Sequence, residues 1–433
     1  MPIFNSQFLN SPIFKHHNHA FVKLLAFRVQ LVLAYQILAV TVGWHIYEIT
    51  HDPLALGLIG LAEVIPYFSC ALFAGHAVDH YYSRRFFGAL AAVLLSMNAL
   101  MLTVVSLGWF GNHINANTSL WIYVSIGFTG LARAFIAPSY NTLFAIILQR
   151  NEYARATGIG SAAFQIGLVL GPAIGGLLVG FASKTFAYAL VTFLCIGGAI
   201  AISTIKLQEP KPTNNSPAVF DSIAQGLRFV WSNQIVLGAL ALDMFAVLFG
   251  GAVALLPAFI HDIYHLGPES LGILRTAPAI GAIVTGLVLT RYPINLHAGR
   301  WLLGAVASFG LCIIGFGLST SFWLAALMLL MSGIADGVSV IMRQTILQLA
   351  TPDGMRGRIS AINGIFIGSS NELGAFESGV AARLLGLVPS VIFGGVMTLS
   401  VVGLTARFAP KLRDLELKDL ELRDLEIKDS KPQ

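Results

Sequence analysis

Long apolar runs, broken by short polar segments, cover nearly the whole chain. Runs of roughly 20 or more apolar residues are long enough, at about 1.5 Å per residue, to cross a hydrocarbon core of roughly 30 Å. They predict twelve helical spans, at 25–49, 54–78, 86–110, 119–148, 156–182, 185–206, 236–262, 268–290, 300–319, 321–348, 358–384 and 388–408. The one long polar break, from Leu207 to about Gln234, opens with QEPKPTNNSP. Beyond it Val219, Ile223, Leu227 and Val230 recur at helical spacing, the pattern of a short amphipathic helix lying on a membrane surface. The break leaves six spans on either side.

The expected organisation is therefore a six-helix bundle over 1–206, a linker with an amphipathic helix over 207–235, a second bundle over 236–410 and a charged tail over 411–433. The tail repeats in fives, Arg413-Asp-Leu-Glu-Leu417, then KDLEL, then RDLEI, then KD. That period fits neither a straight helix nor a heptad seam and predicts a solvated tail. The two bundles read as copies. Gly130 to Arg133 (GLAR) aligns on Gly333 to Asp336 (GIAD), about 203 positions on, and Thr142, Arg155, Gly171 and Gly176 fall on Thr345, Arg358, Gly374 and Gly379. The fold class expected is an all-α membrane protein, twelve transmembrane helices in two pseudo-symmetric six-helix bundles.

Composition excludes a soluble domain: 56% of the residues are hydrophobic, 11% are charged and the mean hydropathy is +0.76. Most Lys and Arg, among them Lys23, Arg84, Arg85, Arg155, Lys206, Arg291, Arg300, Arg358 and Arg407, flank the termini or the even-to-odd connections. The positive-inside rule places those connections and both termini in the cytoplasm. The net charge of +5 is this asymmetry and points to no nucleic acid. Residues 1–20 lack a small-residue cleavage site, so no processed signal peptide is expected. Cys70, Cys195 and Cys312 stand singly inside spans, without pairing or metal-ligand spacing, and read as buried hydrophobes. Neither a phosphate-binding GxxxxGK[ST] nor an HExxH or GxSxG motif occurs within the spans, which disfavours an ATP-driven pump and an enzyme.

Two motifs carry specific information. Between spans two and three lies Gly75-His-Ala-Val-Asp79-His80-Tyr-Tyr-Ser-Arg84-Arg85. A glycine permits close helix approach, and an aspartate at a helix end accepts charge-assisted hydrogen bonds from arginine or from a neighbouring helix N-terminus. The segment resembles the cytoplasmic loop signature of the major facilitator superfamily, with His80 where that family has a basic residue, Tyr82 where it has glycine, and the basic pair displaced by one. The resemblance implies a latch, Gly75, Asp79, Arg84 and Arg85, that breaks when two bundles rock. In span five, Gly167-x-x-x-Gly171-Pro172-x-x-Gly175-Gly176, with Gly158 upstream, resembles the signature that within the superfamily marks exporters exchanging substrate for protons. Its glycines lie on nearly one helical face and favour backbone-to-backbone packing, and Pro172 removes a hydrogen bond. Gly43-Trp-His-Ile-Tyr-Glu-Ile-Thr50, Leu271-Gly-Ile-Leu-Arg-Thr-Ala-Pro278 and Thr351 to Asn363 are similar to a subgroup that includes bacterial enterobactin exporters and related transmembrane secretion effector efflux proteins.

Ionisable residues well inside spans are the proton and substrate candidates: Glu63, Arg133, Asp243, Arg275, Asp336, Arg343, Glu372 and Glu377. A charge at a helix centre costs about 2.5–3.5 kcal/mol on insertion scales and so faces a cavity or a partner. Pro66 aligns with Pro278, which sets Glu63 opposite Arg275 as Arg133 stands opposite Asp336. Glu63 with Arg133, and Arg275 with Asp336, are the pairings this symmetry offers, with Arg343 as a rival partner two turns beyond Asp336. A static ion pair that only holds the bundle is the alternative for each. Glu63, about nine residues into its span, is expected to be the leading proton carrier, since arginine stays charged. Glu377 replaces the apolar residue of the first copy, GPAIGG having become GAFESG, and either protonates or holds Ser378 or a water. Tyr67, Phe68, Tyr140, Phe164, Phe245, Phe249, Phe366 and Phe376 either line an apolar pocket or face core and lipid.

The resemblance implies a multi-pass protein of the bacterial inner (plasma) membrane, a secondary active transporter that exports a small organic molecule, such as a siderophore or drug-like amphiphile, in antiport with protons. Its expected partners are that substrate, protons and membrane lipids, with a monomer as the working form and no cofactor or metal. A proton-coupled importer or a lipid flippase of the same fold is the alternative.

Overall fold

The computed structural model describes residues 18–80, 84–108, 116–149, 152–207, 219–294, 296–352 and 355–416, and no strand occurs among them. The helices are α1 (Asn18–Thr50), α2 (Pro53–His80), α3 (Arg84–Ser106), α4 (Ala116–Ile147), α5 (Tyr153–Phe181), α6 (Lys184–Ser203), α7 (Val219–Ser232), α8 (Gln234–Phe249), α9 (Leu256–Ala258), α10 (Pro268–Arg291), α11 (Ala298–Leu318), α12 (Phe322–Ala350), α13 (Arg356–Leu385), α14 (Leu387–Phe408) and α15 (Pro410–Arg413). Among the described residues, eleven helical stretches are long and apolar enough to cross a membrane. The expected span at 358–384 is present as α13, but Arg356, Arg358, Glu372, Glu377 and Arg383 make it the most polar of the long helices. Large apolar side chains such as Phe181, Phe193, Leu287 and Leu384 stand exposed, as a protein bathed in lipid tolerates. The pentapeptide repeat beyond Glu416 lies outside the described residues.

Span seven departs from the expected continuous helix over 236–262. After α8 the chain runs through a 3-10 turn at Gly251–Leu255, the three residues of α9 and a π turn at Phe259–Ile263. Gly250 and Gly251 lower the helix propensity there and Pro257 removes a backbone donor. Gly251 lies so close to Gly374 that a Cβ would stand 2.5 Å from the Gly374 carbonyl oxygen. Pro66, Pro138, Pro172 and Pro278 are instead absorbed inside their helices. Ser183 and Asn233 cap α6 and α8 by accepting from backbone N–H groups of the first turn.

The chain divides into two compact units, residues 1–45 with 65–216, and residues 46–64 with 217–433. The far end of α1 and the start of α2 thus belong with the second unit, because α2 meets α13 backbone to backbone. A Cβ on Gly57 would stand 3.0 Å from the Cα of Gly379 and 3.1 Å from the carbonyl oxygen of Ala375. Within the first unit, the expected glycine face of α5 is seated on α1. Gly167 lies against Val32, Gly171 against Gln36, and a Cβ on Gly175 would stand 3.2 Å from the Cα of Ile37. The second unit repeats this seam. Gly374, the counterpart of Gly171, lies on α8, where a Cβ would stand 2.8 Å from the carbonyl oxygens of both Val247 and Leu248. The linker helix is α7, whose Val230 and Leu227 pack with Val236, Leu240, Leu347, Ile359 and Ile362.

Candidate functional site

In the first unit, the midpoints of α1 and α4 bring Arg133 onto tyrosine rings. Its guanidinium carbon lies 4.3 Å above the centre of the Tyr35 ring and 5.6 Å from that of Tyr67. Its Nη1 donates to the Tyr35 hydroxyl at 2.8 Å. About two turns nearer the α1 N-terminus than Tyr35, Arg28 lies 4.4 Å from the ring centre of Tyr140 and 5.2 Å from that of Phe164. Such stacking offsets part of the cost of holding a cation away from water. Arg28 is not among the expected site residues. Its signal is present in the chain, a lone basic residue about one turn inside an apolar run, but its nearness to the first polar segment makes it read as a flanking charge.

In the second unit, charge is handled by carboxylates. Arg343 of α12 forms an ion pair through Nη1 with Asp243 of α8, at 2% and 7% side-chain exposure. The Arg343 Nε is buried without an acceptor. Asp336, expected opposite Arg275 or near Arg343, makes no ion pair or hydrogen bond with the described residues. The physical reason lies in the packing of α12 on α10. Gly333 and Gly337 flank Asp336 and draw its helix onto Pro278, Ala282 and Thr285, and Arg343, two turns on, faces α8 instead. Arg275 and Glu372 lie on α10 and α13, both half-buried. Glu63 is buried on α2 at 4% exposure and falls in the second unit, whereas Arg133 falls in the first. Glu377 accepts from the Ser378 hydroxyl at 3.4 Å.

A second cluster in this unit has no counterpart among the expected residues. The Tyr47 hydroxyl donates to Asp262, and His261 Nδ1 lies 2.6 Å from the other Asp262 oxygen. The His51 and His261 rings are centred 5.2 Å apart. Beside them Arg383 Nη1 donates to Asp52 at 2.8 Å. These residues come from the ends of α1, α2 and α13 and from the π turn after α9, so their meeting depends on the broken span seven. No group of three or more His, Cys, Asp or Glu arranged to hold a metal occurs among the described residues.

Of the expected loop motif, Gly75 and Asp79 fall in the last turns of α2 and Arg84 and Arg85 open α3. Arg84 is buried, and Arg85 Nη1 donates to the Ile205 carbonyl oxygen. Of the span-five motif, Gly171, Pro172, Gly175 and Gly176 are buried, while Gly158 has open space around it. Phe245 and Phe249 line a groove with α14 residues Val401, Leu404 and Phe408, away from the buried ion pair.

Long apolar helices, with a glycine seam repeated in each unit, define an all-α membrane protein. The chain belongs to the Major Facilitator Superfamily, whose family model matches residues 27–375. It is 24% identical over 390 residues to the multidrug efflux pump Tap of Mycolicibacterium fortuitum, covering 86% of this chain and 91% of that protein. It is 25% identical over 414 residues to the enterobactin exporter EntS of Escherichia coli O1:K1 / APEC, covering 92% of this chain and 95% of that protein. Among solved structures, a bacterial homologue of the human lysosomal transporter Spinster superposes with a TM-score of 0.69 at 14% identity, covering 95% of this chain and 98% of that one. A peptide transporter POT superposes with a TM-score of 0.72 at 11% identity, covering 92% and 95%. The chain is a transporter and not an enzyme.

Proposed function

We propose that this protein is a proton-coupled exporter of the bacterial inner membrane, with both termini in the cytoplasm, that moves a small organic molecule outward as protons enter. The observation that carries the reading is the glycine–proline face of α5, seated on α1 at Val32, Gln36 and Ile37. Two of its relatives, an efflux pump and an exporter by name, support the same direction. A siderophore or a drug-like amphiphile is the proposed cargo.

Asp336 is the leading proton carrier in this reading, ahead of Glu63. Asp243 is engaged in an ion pair with Arg343, whereas Asp336 has no cation beside it among the described residues and is free to exchange a proton. One proton moving down about 100 mV supplies roughly 2.3 kcal/mol, enough for tens-fold accumulation. Inside-out vesicles test direction and coupling together. Acidifying their interior is expected to fill them with substrate, and the fill should collapse when the pH gradient is dissipated. Uptake that instead requires acid outside the vesicles would make the protein an importer.

A further inference from the structure

The membrane-embedded part of the first unit carries arginines and no carboxylate. Between His19 and Ser203, leaving out residues 46–64, its acids are Asp79, in the last turn of α2, and Glu152, just ahead of α5. Arg28 is the more telling of its two inner arginines. Among the described residues its partners are the rings of Tyr140 and Phe164, and no carboxylate lies within ion-pair distance. The Tyr140 hydroxyl is buried with no hydrogen-bond partner among the described residues, in a side chain only 6% exposed. A buried hydroxyl left unpaired costs about 1–3 kcal/mol, so the group calls for a hydrogen-bond partner. Both groups close on the α5 backbone at Gly160, where a Cβ would stand 2.9 Å from the Tyr140 hydroxyl and 3.6 Å from Arg28 Nη1, so that only glycine lets them come this near. Phe164, 37% exposed and one turn further along α5, presents a ring beside it.

From this geometry we infer that Arg28, Tyr140, Gly160 and Phe164 form a subsite for the anionic group of an aromatic organic acid. The guanidinium fork takes a carboxylate or phenolate, the Tyr140 hydroxyl donates to the same oxygen set, and Phe164 stacks on the planar part of the molecule. The ligand's negative charge supplies the counter-ion that Arg28 lacks among the described residues. The inference names the substrate class for the transport reading above and rests on it only for the identity of the ligand as cargo.

The test uses the purified full-length protein in phosphatidylcholine nanodiscs without a pH gradient, and two dyes that share a xanthene core. Carboxyfluorescein is anionic and tetramethylrhodamine methyl ester is cationic. Fluorescence anisotropy is expected to show saturable binding of the anionic dye and weaker binding of the cationic one. Arg28→Gln should weaken the anionic dye about tenfold or more, as loss of one charge-assisted contact does. Tyr140→Phe should weaken it several-fold with thermal stability unchanged or raised, whereas a purely structural tyrosine would leave binding alone. Should Arg28→Gln not fold, Arg28→Lys replaces it, with an intermediate loss expected because the charge stays and the fork goes. No saturable binding of the anionic dye, tighter binding of the cationic dye, or an anionic affinity within about twofold of the parent in the Arg28 variant would overturn the subsite. None of these readouts involves a proton gradient, so failure of the vesicle experiment and failure of this one are separate results.

Discussion

In the first unit Arg28 and Arg133 lie on the rings of Tyr140, Phe164, Tyr35 and Tyr67, while in the second Arg343 lies on Asp243. The glycine seam is the same in both units, Gly171 on α1 and Gly374 on α8. What diverged is the treatment of charge. Aromatic faces give a cation a weak, directional hold that a ligand anion can outcompete. A buried carboxylate–guanidinium pair holds hard, since removing either partner strands the other. One scaffold thus carries two treatments of a buried cation, stacked on rings in one unit and ion-paired in the other.

The largest expected effect comes from Asp336, which has no ion pair among the described residues. Asp336→Asn should abolish concentrative transport in proteoliposomes while downhill substrate exchange stays measurable. If Asp336→Asn still concentrates substrate and Glu63→Gln does not, the proton moves back to the acid favoured by the sequence and the contrast between Asp336 and Asp243 loses its meaning. Nearly as large is the effect of Gly171→Leu, whose side chain has to displace Gln36. Efflux should be lost with the protein still inserted, as judged by membrane yield and protease protection. The matching substitution Gly374→Leu, against the Val247 and Leu248 carbonyls, should do the same, and a difference between the two would show that the seam is not equivalent in the two units.

Arg343→Met should lower stability by roughly 3–5 kcal/mol, because it leaves Asp243 buried without its cation. The double substitution with Asp243→Leu should recover most of that loss, read as thermal unfolding of the detergent-solubilised protein. Arg133→Gln, which takes the guanidinium from the Tyr35 hydroxyl and from the two rings, should cost less stability, and equal losses would erase the distinction drawn between the units. The smallest effect is expected from Tyr47→Phe. It removes one donor to Asp262, which keeps His261, and should cost about 1 kcal/mol.

Residue pattern alone determined the helical membrane class, the places of nearly all the spans, the amphipathic helix α7 and the doubled glycine face of spans five and eleven. Each is set by local sequence against a fixed solvent: apolar length against bilayer thickness, and small residues at helical spacing against the need for close approach. Partner choice was not determined in that way. Symmetry pointed to Arg275 for Asp336, but Arg343 went to Asp243, because Gly333 and Gly337 pull α12 against α10 and turn the next turns of the helix toward α8. The break in span seven, with Gly250, Gly251 and Pro257 plainly written in the chain, became consequential only once its π turn brought His261 and Asp262 to Tyr47 and His51. Arg28 shows the same limit, since its position along α1 is a matter of sequence, while its rings come from α4 and α5. Helix formation is decided by residues a few positions apart, whereas the neighbours of an ionisable group are decided by how helices distant in sequence are rotated and packed.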